Sequence, residues 1–408
     1  MHAIDNTLKK FAKRWLNLPQ RASAEILYLT HNQGGANFLP LSSFSDIAQI
    51  NHALHIFQSR DERVTSLALS ALTSIIHKRI RRAPSARDIC TYLNGSLENE
   101  FGLRSHDIRS TWTRLRDATR RLRKVLPIEW VEGEGPPALA VNGNILRKNN
   151  CNNILIGLVR LNHLLSLQRK PDQGKAFRIT SACRESNHFL RDGRYTQFAD
   201  WRFIHRARLS VVPLHGLRRF GNRSKKCRRC TYGNETLAHV LCHCLPSMTS
   251  ITKRHDNILR RLSNAFTKEN GLLLINQRVP DFTDNCRPDL VYIDDAAKEA
   301  TIVDVTVPFE NGEEAFSTAR TAKIRKYQNL VSHFRNKGFN TFCDAFVVGA
   351  LGGWDPANES ILRRLAIPKK YAATMKRLMV SDTIKASREI FTNHIYGYNS
   401  TNVGHPHH

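Results

Sequence analysis

The chain has 408 residues, 41% of them hydrophobic, which supports packed cores rather than wholesale disorder, and its length points to roughly two to four domains. Its 62 Lys and Arg against 35 Asp and Glu leave a formal charge of +27, so it repels itself until something acidic neutralises it; nucleic acid is the commonest such partner, with ribosomal-type assembly and anionic membranes left open by charge alone. Without about 18 uninterrupted apolar residues a membrane span is not expected, and residues 1–13 are basic but lack the apolar core of a signal peptide.

Over residues 4–82 the apolar spacing is mostly helical, and Val64, Leu67, Leu72, Ile75, Ile76 and Ile80 recur at three- and four-residue intervals as one stripe expected to be buried. Pro84 interrupts the pattern, and Ser85 or Asp88 is placed to cap the next helix. Residues 109–124 predict another helix carrying Arg109, Arg114, Arg116, Arg120, Arg121, Arg123 and Lys124 against the single acid Asp117. That run suits a solvated helix face and a phosphate-binding face equally. Residues 131–140 hold Gly133, Gly135, Pro136 and Pro137 and read as a linker or long loop. A second helical region is expected over 152–219, followed by a basic, turn-rich stretch at 221–226.

Nine cysteines are an odd number, and four of them fall between Cys227 and Cys244, unlike a secreted disulfide scaffold. Cys227, Cys230, His239 and Cys244 form C-x2-C-x8-H-x4-C. Two thiolates from a CxxC turn, closed by a later His and Cys, suit a tetrahedral, structural Zn2+ with no open position. So small a loop cannot bury a core, so the metal would supply most of its folding energy. Lys225, Lys226, Arg228 and Arg229 surround the first thiols, where they would lower thiol pKa values and touch phosphate. Cys242 and His243 are alternative ligands; Cys244 is preferred because its spacing fits a known pattern.

Past the cysteines a helix is expected to about residue 266, then two short β-branched runs at 290–293 and 301–307 separated by an acidic turn. A long helix over 313–336, a third strand near 342–351 and a helical tail to Gly397 follow, with frayed last residues. If the hairpin turns near Ala296, Asp289 and Asp304 lie side by side at one end of it. Asp304 is flanked by Ile302, Val303 and Val305, and a charge inside an apolar strand is costly unless paired or metal-bound. Two adjacent carboxylates repel, and a divalent cation relieves that repulsion while activating water and steadying charge on phosphate. Lys323 and Lys326, one helical turn apart, share a face from which an ammonium group can orient water or stabilise the phosphate. Pro288-Asp289, Asp304 and a helix lysine make a variant of the PD-(D/E)xK nuclease pattern. The usual lysine position, two residues after the second acid, is Thr306 here.

The cysteine spacing, Arg287-Pro288-Asp289, Asp304 and Lys323-Ile324-Arg325-Lys326-Tyr327, in that order, together resemble the restriction-like endonuclease end of site-specific non-LTR retrotransposons of the R-two type. Residues 347–353 are similar to that family's third strand, 207–213 to the stretch before its knuckle, and 15–19 with Gly34-Gly35 to the thumb after its reverse transcriptase. The resemblance implies an α+β multidomain protein. It would have a helical thumb-like region (1–130), a helical linker region (131–222), a CCHC zinc knuckle (223–250) and an α/β restriction-like endonuclease domain with a small mixed sheet (251–408). It also implies Asp289 and Asp304 as Mg2+ ligands, Lys323 and Lys326 completing the nuclease site, and Tyr327 as a neighbour. The basic run at 109–124 and Arg228 and Arg229 would bind nucleic acid. The partners would be double-stranded target DNA and the element's RNA, with no small-molecule substrate, and the site of action the nucleus. In that family the endonuclease nicks one target strand and the freed 3′-hydroxyl primes reverse transcription. No Tyr/Phe-x-Asp-Asp pair occurs; Phe198-Ala199-Asp200-Trp201 has one acid, so a polymerase palm is not expected in this chain, which reads as a fragment or remnant.

Overall fold

The computed structural model describes residues 2–102, 109–217, 224–231, 233–267 and 270–397. The start of the basic turn-rich stretch, the 222/223 division and the expected frayed end lie outside them. The chain parts into two compact units. One comprises Met1–Phe11, Leu27–Leu29 and Asn37–Ser166, the other Ala12–Ile26, Thr30–Ala36 and Leu167–His408. The chain crosses between the two units at five places, four of them before residue 38.

The helices begin with α1 (His2–Trp15). In the first unit α2 (Leu41–Phe57), α3 (Glu62–Ile80), α4 (Ala86–Leu93) and α5 (Thr111–Arg123) follow, then β1 (Ile128–Val131), β2 (Ala138–Val141), β3 (Asn144–Ile145) and α6 (Lys148–Gln168). Both expected caps of α4 act together. Ser85 Oγ accepts from Asp88 N, and the Asp88 carboxylate accepts from Ser85 N, a reciprocal capping box. The buried stripe of α3 is Ala68, Leu72, Ile76 and Ile80, at strict four-residue spacing. Leu67, one residue off that stripe, is 71% exposed, and Val64 lies beyond its buried part and is exposed too, so neither belongs to the expected core. Residues 131–140 are not a linker: β1 and β2 pair antiparallel from Ile128↔Val141 to Val131↔Ala138, and the Gly/Pro cluster is their connection. Phe57 stacks on Trp112 at 5.2 Å and meets Trp130 edge-on at 5.8 Å in the middle of this core.

In the second unit α7 (Lys175–Thr180), α8 (Phe189–Asp192), α9 (Phe198–Arg208), α10 (Leu237–Cys242) and α11 (Met248–Asn264) precede a sheet. Its strands are β4 (Leu272–Ile275), β5 (Leu290–Asp294), β6 (Glu299–Thr306) and β7 (Asn340–Val347), in that spatial order. The pairs β4/β5 and β5/β6 are antiparallel and β6/β7 is parallel, so the sheet is mixed and the fold is α+β. Parallel pairing needs a crossover, supplied by α12 (Ala315–Lys326) and α13 (Gln328–Asn336). The expected single helix breaks at Tyr327, whose φ of −103° and ψ of 15° leave the helical region. After β7 come α14 (Asn358–Arg364) and α15 (Lys369–Tyr396). Alternation along β6 divides the faces: Val303 and Val305 join the core with Leu259, Leu262, Met379 and Ile384, while Ala300 and Ile302 pack with Tyr327, Leu330, Val331 and Phe334.

Candidate functional site

Two clusters in the second unit carry chemistry. The first is the cysteine cluster. Cys227 N donates to Gly233 O at 2.8 Å and Thr231 N to Cys227 O at 3.0 Å, which curls residues 227–231 back on themselves. Thr236 Oγ1 accepts from His239 N at 3.2 Å, starting α10 so that His239 lies in its first turn. The ligand atoms of Cys227, Cys230, His239 and Cys244 then all lie within 4.8 Å of one another. Cys227 Sγ is 3.9 Å from Cys244 Sγ, and Cys230 Sγ is 3.3 Å from His239 Nε2. A tetrahedral ion with bonds of about 2.3 Å to sulfur holds its sulfurs about 3.8 Å apart, so the donor set fits zinc. Burial first, then the Cys227 and Cys230 thiols beside it, push the Cys244 thiol up to about 12; a cation would reverse that penalty. The alternatives stay outside the cluster: Cys242 Sγ points to Val307 O at 3.7 Å, and His243 is exposed.

The arginines around the cysteines are already engaged within the protein. Arg228 forms a two-pronged pair with buried Glu235, Nε to Oε1 at 2.7 Å and Nη2 to Oε2 at 3.0 Å. Arg229 donates to His394 O at 2.9 Å, to Asn393 O at 2.7 Å and to Gly397 O. Their expected place on phosphate is therefore replaced by holding the knuckle's own frame. Correspondingly, Glu235 sits at about 2; burial alone would raise it, but Arg228, His215 N and His394 outweigh burial.

The second cluster forms at the end of the β5–β6 hairpin. The register Leu290↔Val303 extends to Asp289 beside Asp304, and the turn falls at 295–298 as expected. Asp304, 2% exposed, projects to the α13 face. Its Oδ1 accepts from Tyr327 Oη at 2.5 Å, and its Oδ2 lies 2.5 Å from Lys323 Nζ. Oδ2 is thus paired with the lysine's charge and takes no other donor among the described residues. Lys326 reaches the cluster through the phenol, Nζ to Tyr327 Oη at 2.9 Å. Burial first, then the bond from Asp304, push the Tyr327 phenol far above its ordinary value. Asp289 Oδ2 accepts from Val305 N at 2.6 Å and faces His255 Nε2 at 3.1 Å. Burial alone would lower the His255 pKa, but Asp289, then Asp256 and Val305 O, raise it to about 9.

The fold thus brings Asp304 together with Lys323, Tyr327 and, through the phenol, Lys326, and sets Asp289 with His255 against the backbone of Val305. His255 was not anticipated; its only sequence signal is a lone histidine in α11, 34 residues before Asp289. A bound cation is not the sole relief for the two acids, because Lys323 and His255 each already face one of them. Among the described residues, neither acid belongs to a group of three or more side chains that could hold a metal ion. The buried Asp304 carboxylate, whose Oδ2 is held by the partly exposed Lys323 ammonium group, is the feature that fits a divalent ion, which commonly takes one or two carboxylates and completes its shell with water and phosphate.

In the first unit the basic run divides. Arg116 is buried and donates to Ser96 O at 2.7 Å and Phe101 O at 3.0 Å, so it cannot meet phosphate. Arg121 pairs with Asp46 at 2.6 Å, Arg120 with Asp117 at 3.4 Å, and Arg123 donates to Ile128 O and Asn94 O, both at 3.1 Å. Among the described residues, Arg109, Arg114 and Lys124 make no hydrogen bond or ion pair and stand exposed on α5 and its flanks. Asp200, the lone acid of the Phe198-Ala199-Asp200-Trp201 stretch, is buried in α9 and paired with Arg388 at 2.5 Å.

No family model matches the chain. Over 178 residues, 42% of this chain, it is 29% identical to the retrovirus-related Pol polyprotein from type-1 retrotransposable element R2 of Popillia japonica, and that stretch spans 36% of the relative. The chain is therefore related, over part of its length, to a retrotransposon polyprotein.

Proposed function

We propose that this chain is part of a non-LTR retrotransposon polyprotein whose second unit is a Mg2+-dependent endonuclease. It would nick duplex target DNA in the nucleus so that reverse transcription of the element's RNA can be primed there. The reading is supported above all by the buried Asp304 carboxylate meeting the Lys323 ammonium group at one end of a small mixed sheet, with Asp289 held against Val305 N, the next residue of that strand. The partial likeness to an R2 Pol polyprotein gives that arrangement a context.

Asp289 and Asp304 would hold the cation, which when bound supplies a Lewis acid and a polarised water. The remaining work falls to the chain's own groups. Val305 N and His255 fix Asp289, so its other oxygen keeps one direction. Tyr327, braced by Arg287 O at 3.3 Å, orients Asp304 from the opposite side. Lys323, 31% exposed, can swing from Asp304 to a phosphate oxygen without leaving the site, and Lys326 adds a second positive charge behind the phenol. Polymerisation is not assigned to this chain, because Asp200 has no neighbouring acid in sequence and is committed to Arg388.

The test is nicking of supercoiled plasmid by the zinc-loaded full chain. Mg2+-dependent relaxation should fall at least about 100-fold in Asp304→Asn and in Lys323→Ala, with zinc content and circular dichroism unchanged. Cutting at the wild-type rate by Asp304→Asn would remove the assignment. One observation favours a second reading, a nucleic-acid-binding remnant without catalysis: both acids already face cationic groups of the chain, as in a structural ion-pair cluster. Salt-sensitive gel shifts with no Mg2+-dependent product would select it.

A further inference from the structure

The cysteine cluster is seated on the end of the last helix. His394, in the final turn of α15, is 2% exposed and packs against two of the cluster's cysteines. Its Nε2 is 3.0 Å from Glu235 Oε1 and 3.8 Å from Cys227 Sγ, and its Nδ1 is 3.9 Å from Cys244 Sγ. Glu235 is itself fixed, accepting from His215 N at 2.7 Å and Arg228 N at 3.1 Å besides the Arg228 guanidinium. A carboxylate so held accepts and does not donate, so the imidazole nitrogen facing it carries the proton. That sets the ring's orientation and leaves Nδ1 unprotonated, so the ring meets Cys244 Sγ by packing and gives it no hydrogen bond. Arg229, two residues after Cys227, closes the carbonyls of the same helix end through His394 O and Asn393 O.

Four knuckle positions, Cys227, Arg229, Glu235 and Cys244, therefore meet one turn of helix 150 or more residues away, and that helix continues into the sheet's core. Met379, Val380 and Ile384 pack in the cluster that holds Val303 and Val305, the strand neighbours of Asp304. Ser387 Oγ donates to Ala350 O at 2.6 Å, and Arg254 links Ser387 to Leu241 O of α10, both at 2.9 Å.

We propose that His394, oriented by Glu235, is an outer partner of the zinc-bound thiolates, so that metal binding by the knuckle and docking of the last turns of α15 are one coupled step. The buried imidazole steadies the sulfur ligands, and the metal in turn fixes the sulfurs that the imidazole packs against. The knuckle is then a clasp on the sheet domain as well as a metal site. This rests on the cluster holding zinc and is independent of whether the acidic site cuts DNA. His394 is a positioning residue here, not a ligand.

The full chain is titrated with a zinc chelator, analysed for metal, substituted with Co2+ for absorption spectra, and followed by amide hydrogen exchange with and without zinc. The expected results are one zinc per chain, a roughly 10–100-fold loss of affinity in His394→Ala, and a smaller loss in His394→Gln, which keeps a donor. The three-sulfur cobalt spectrum should persist in both variants. Removing zinc should speed exchange in the last turns of α15 while α5, in the other unit, exchanges as before. Equal zinc affinity in His394→Ala, or α15 exchange indifferent to zinc, would overturn the proposal. So would a cobalt spectrum that changes coordination number in His394→Gln, which would make His394 a ligand. Two zinc ions per chain would make Cys227, Glu235 and His394 a second site and equally displace the outer-partner role. If His394→Ala fails to fold, the glutamine variant and the exchange comparison decide alone.

Discussion

His205, in α9, is 3% exposed, with its ring edge-on to Trp201 at 4.4 Å and its Nε2 without a hydrogen-bond partner. Burial, then the Arg208 charge beside it, push its pKa down from 6.5 to about 3. Below pH 6.5 the unfolded chain therefore takes up a proton that the folded chain refuses, and stability falls as pH drops from 6.5 toward 3. Between pH 6.5 and 5 this one residue accounts for about 2 kcal/mol of lost stability. His205→Phe, which keeps the aromatic contact, should flatten the acid side of the stability curve by up to that amount. Urea unfolding of both proteins at the two pH values reads it, and parallel acid slopes would refute the assignment. Residues differ in how far such roles can be read beforehand. Asp304 is legible because a charge among Ile302, Val303 and Val305 needs a partner wherever it lies. Its partners are less so: Lys323 follows from helical spacing, but Tyr327 stops a helix to point its phenol at the acid, and His255 arrives from a helix before the sheet. His394 carries no local signal at all, since its meaning lies in sulfurs that precede it by 150 and 167 residues.

Elements with local chemistry at their ends are the ones whose limits follow from sequence. α4 is such a case: after Pro84, Ser85 and Asp88 satisfy each other's backbone, and Arg82 holds Asp88 through two bonds of 2.6 and 2.8 Å. Ser85→Ala should destabilise α4 by about 1 kcal/mol, read as faster amide exchange across α4 with α15 unaffected. A variant exchanging like wild type in α4 would mean that packing of Tyr92 and Leu93, not the cap, sets the start of this helix. Short strands are the opposite case. β1 and β2 have four residues each, and the Gly133, Gly135, Pro136 and Pro137 between them look like a linker until the pairing is known. β4, Leu272–Ile275, has four apolar residues with no alternation, which periodicity cannot distinguish from a buried helix segment. The crossover between β6 and β7 is legible as helix but not as two helices, because the break serves the tertiary contact of Tyr327 with Asp304 rather than any propensity in residues 313–336.

Charge belongs to the whole molecule, and its sign and size were evident from composition. What composition conceals is how much of that charge is internally committed. Arg116 serves the core of the first unit, while Arg228 and Arg229 serve the frame of the metal cluster. The excess of +27 nevertheless ensures uncommitted cations, and on α5 and its flanks these are Arg109, Arg114 and Lys124. Each cation that sits on phosphate releases a counterion, so log affinity should fall linearly with log salt, by about 0.9 per contact on duplex DNA. If this face binds, replacing Arg109, Arg114 and Lys124 together by Ala should lower the magnitude of that slope by about 2 to 3. It should weaken all duplex sequences alike while leaving the urea midpoint unchanged, because none of the three side chains has a partner among the described residues. Arg116→Ala should do the reverse: it removes the guanidinium from the part-buried Ser96 carbonyl and from the buried Phe101 carbonyl, which keeps Arg79, so stability falls while the slope holds. Fluorescence anisotropy with a labelled duplex between 50 and 200 mM salt separates the two. A triple variant that keeps the wild-type slope would assign the phosphate contacts to the second unit, and α5 would then be a solvated helix.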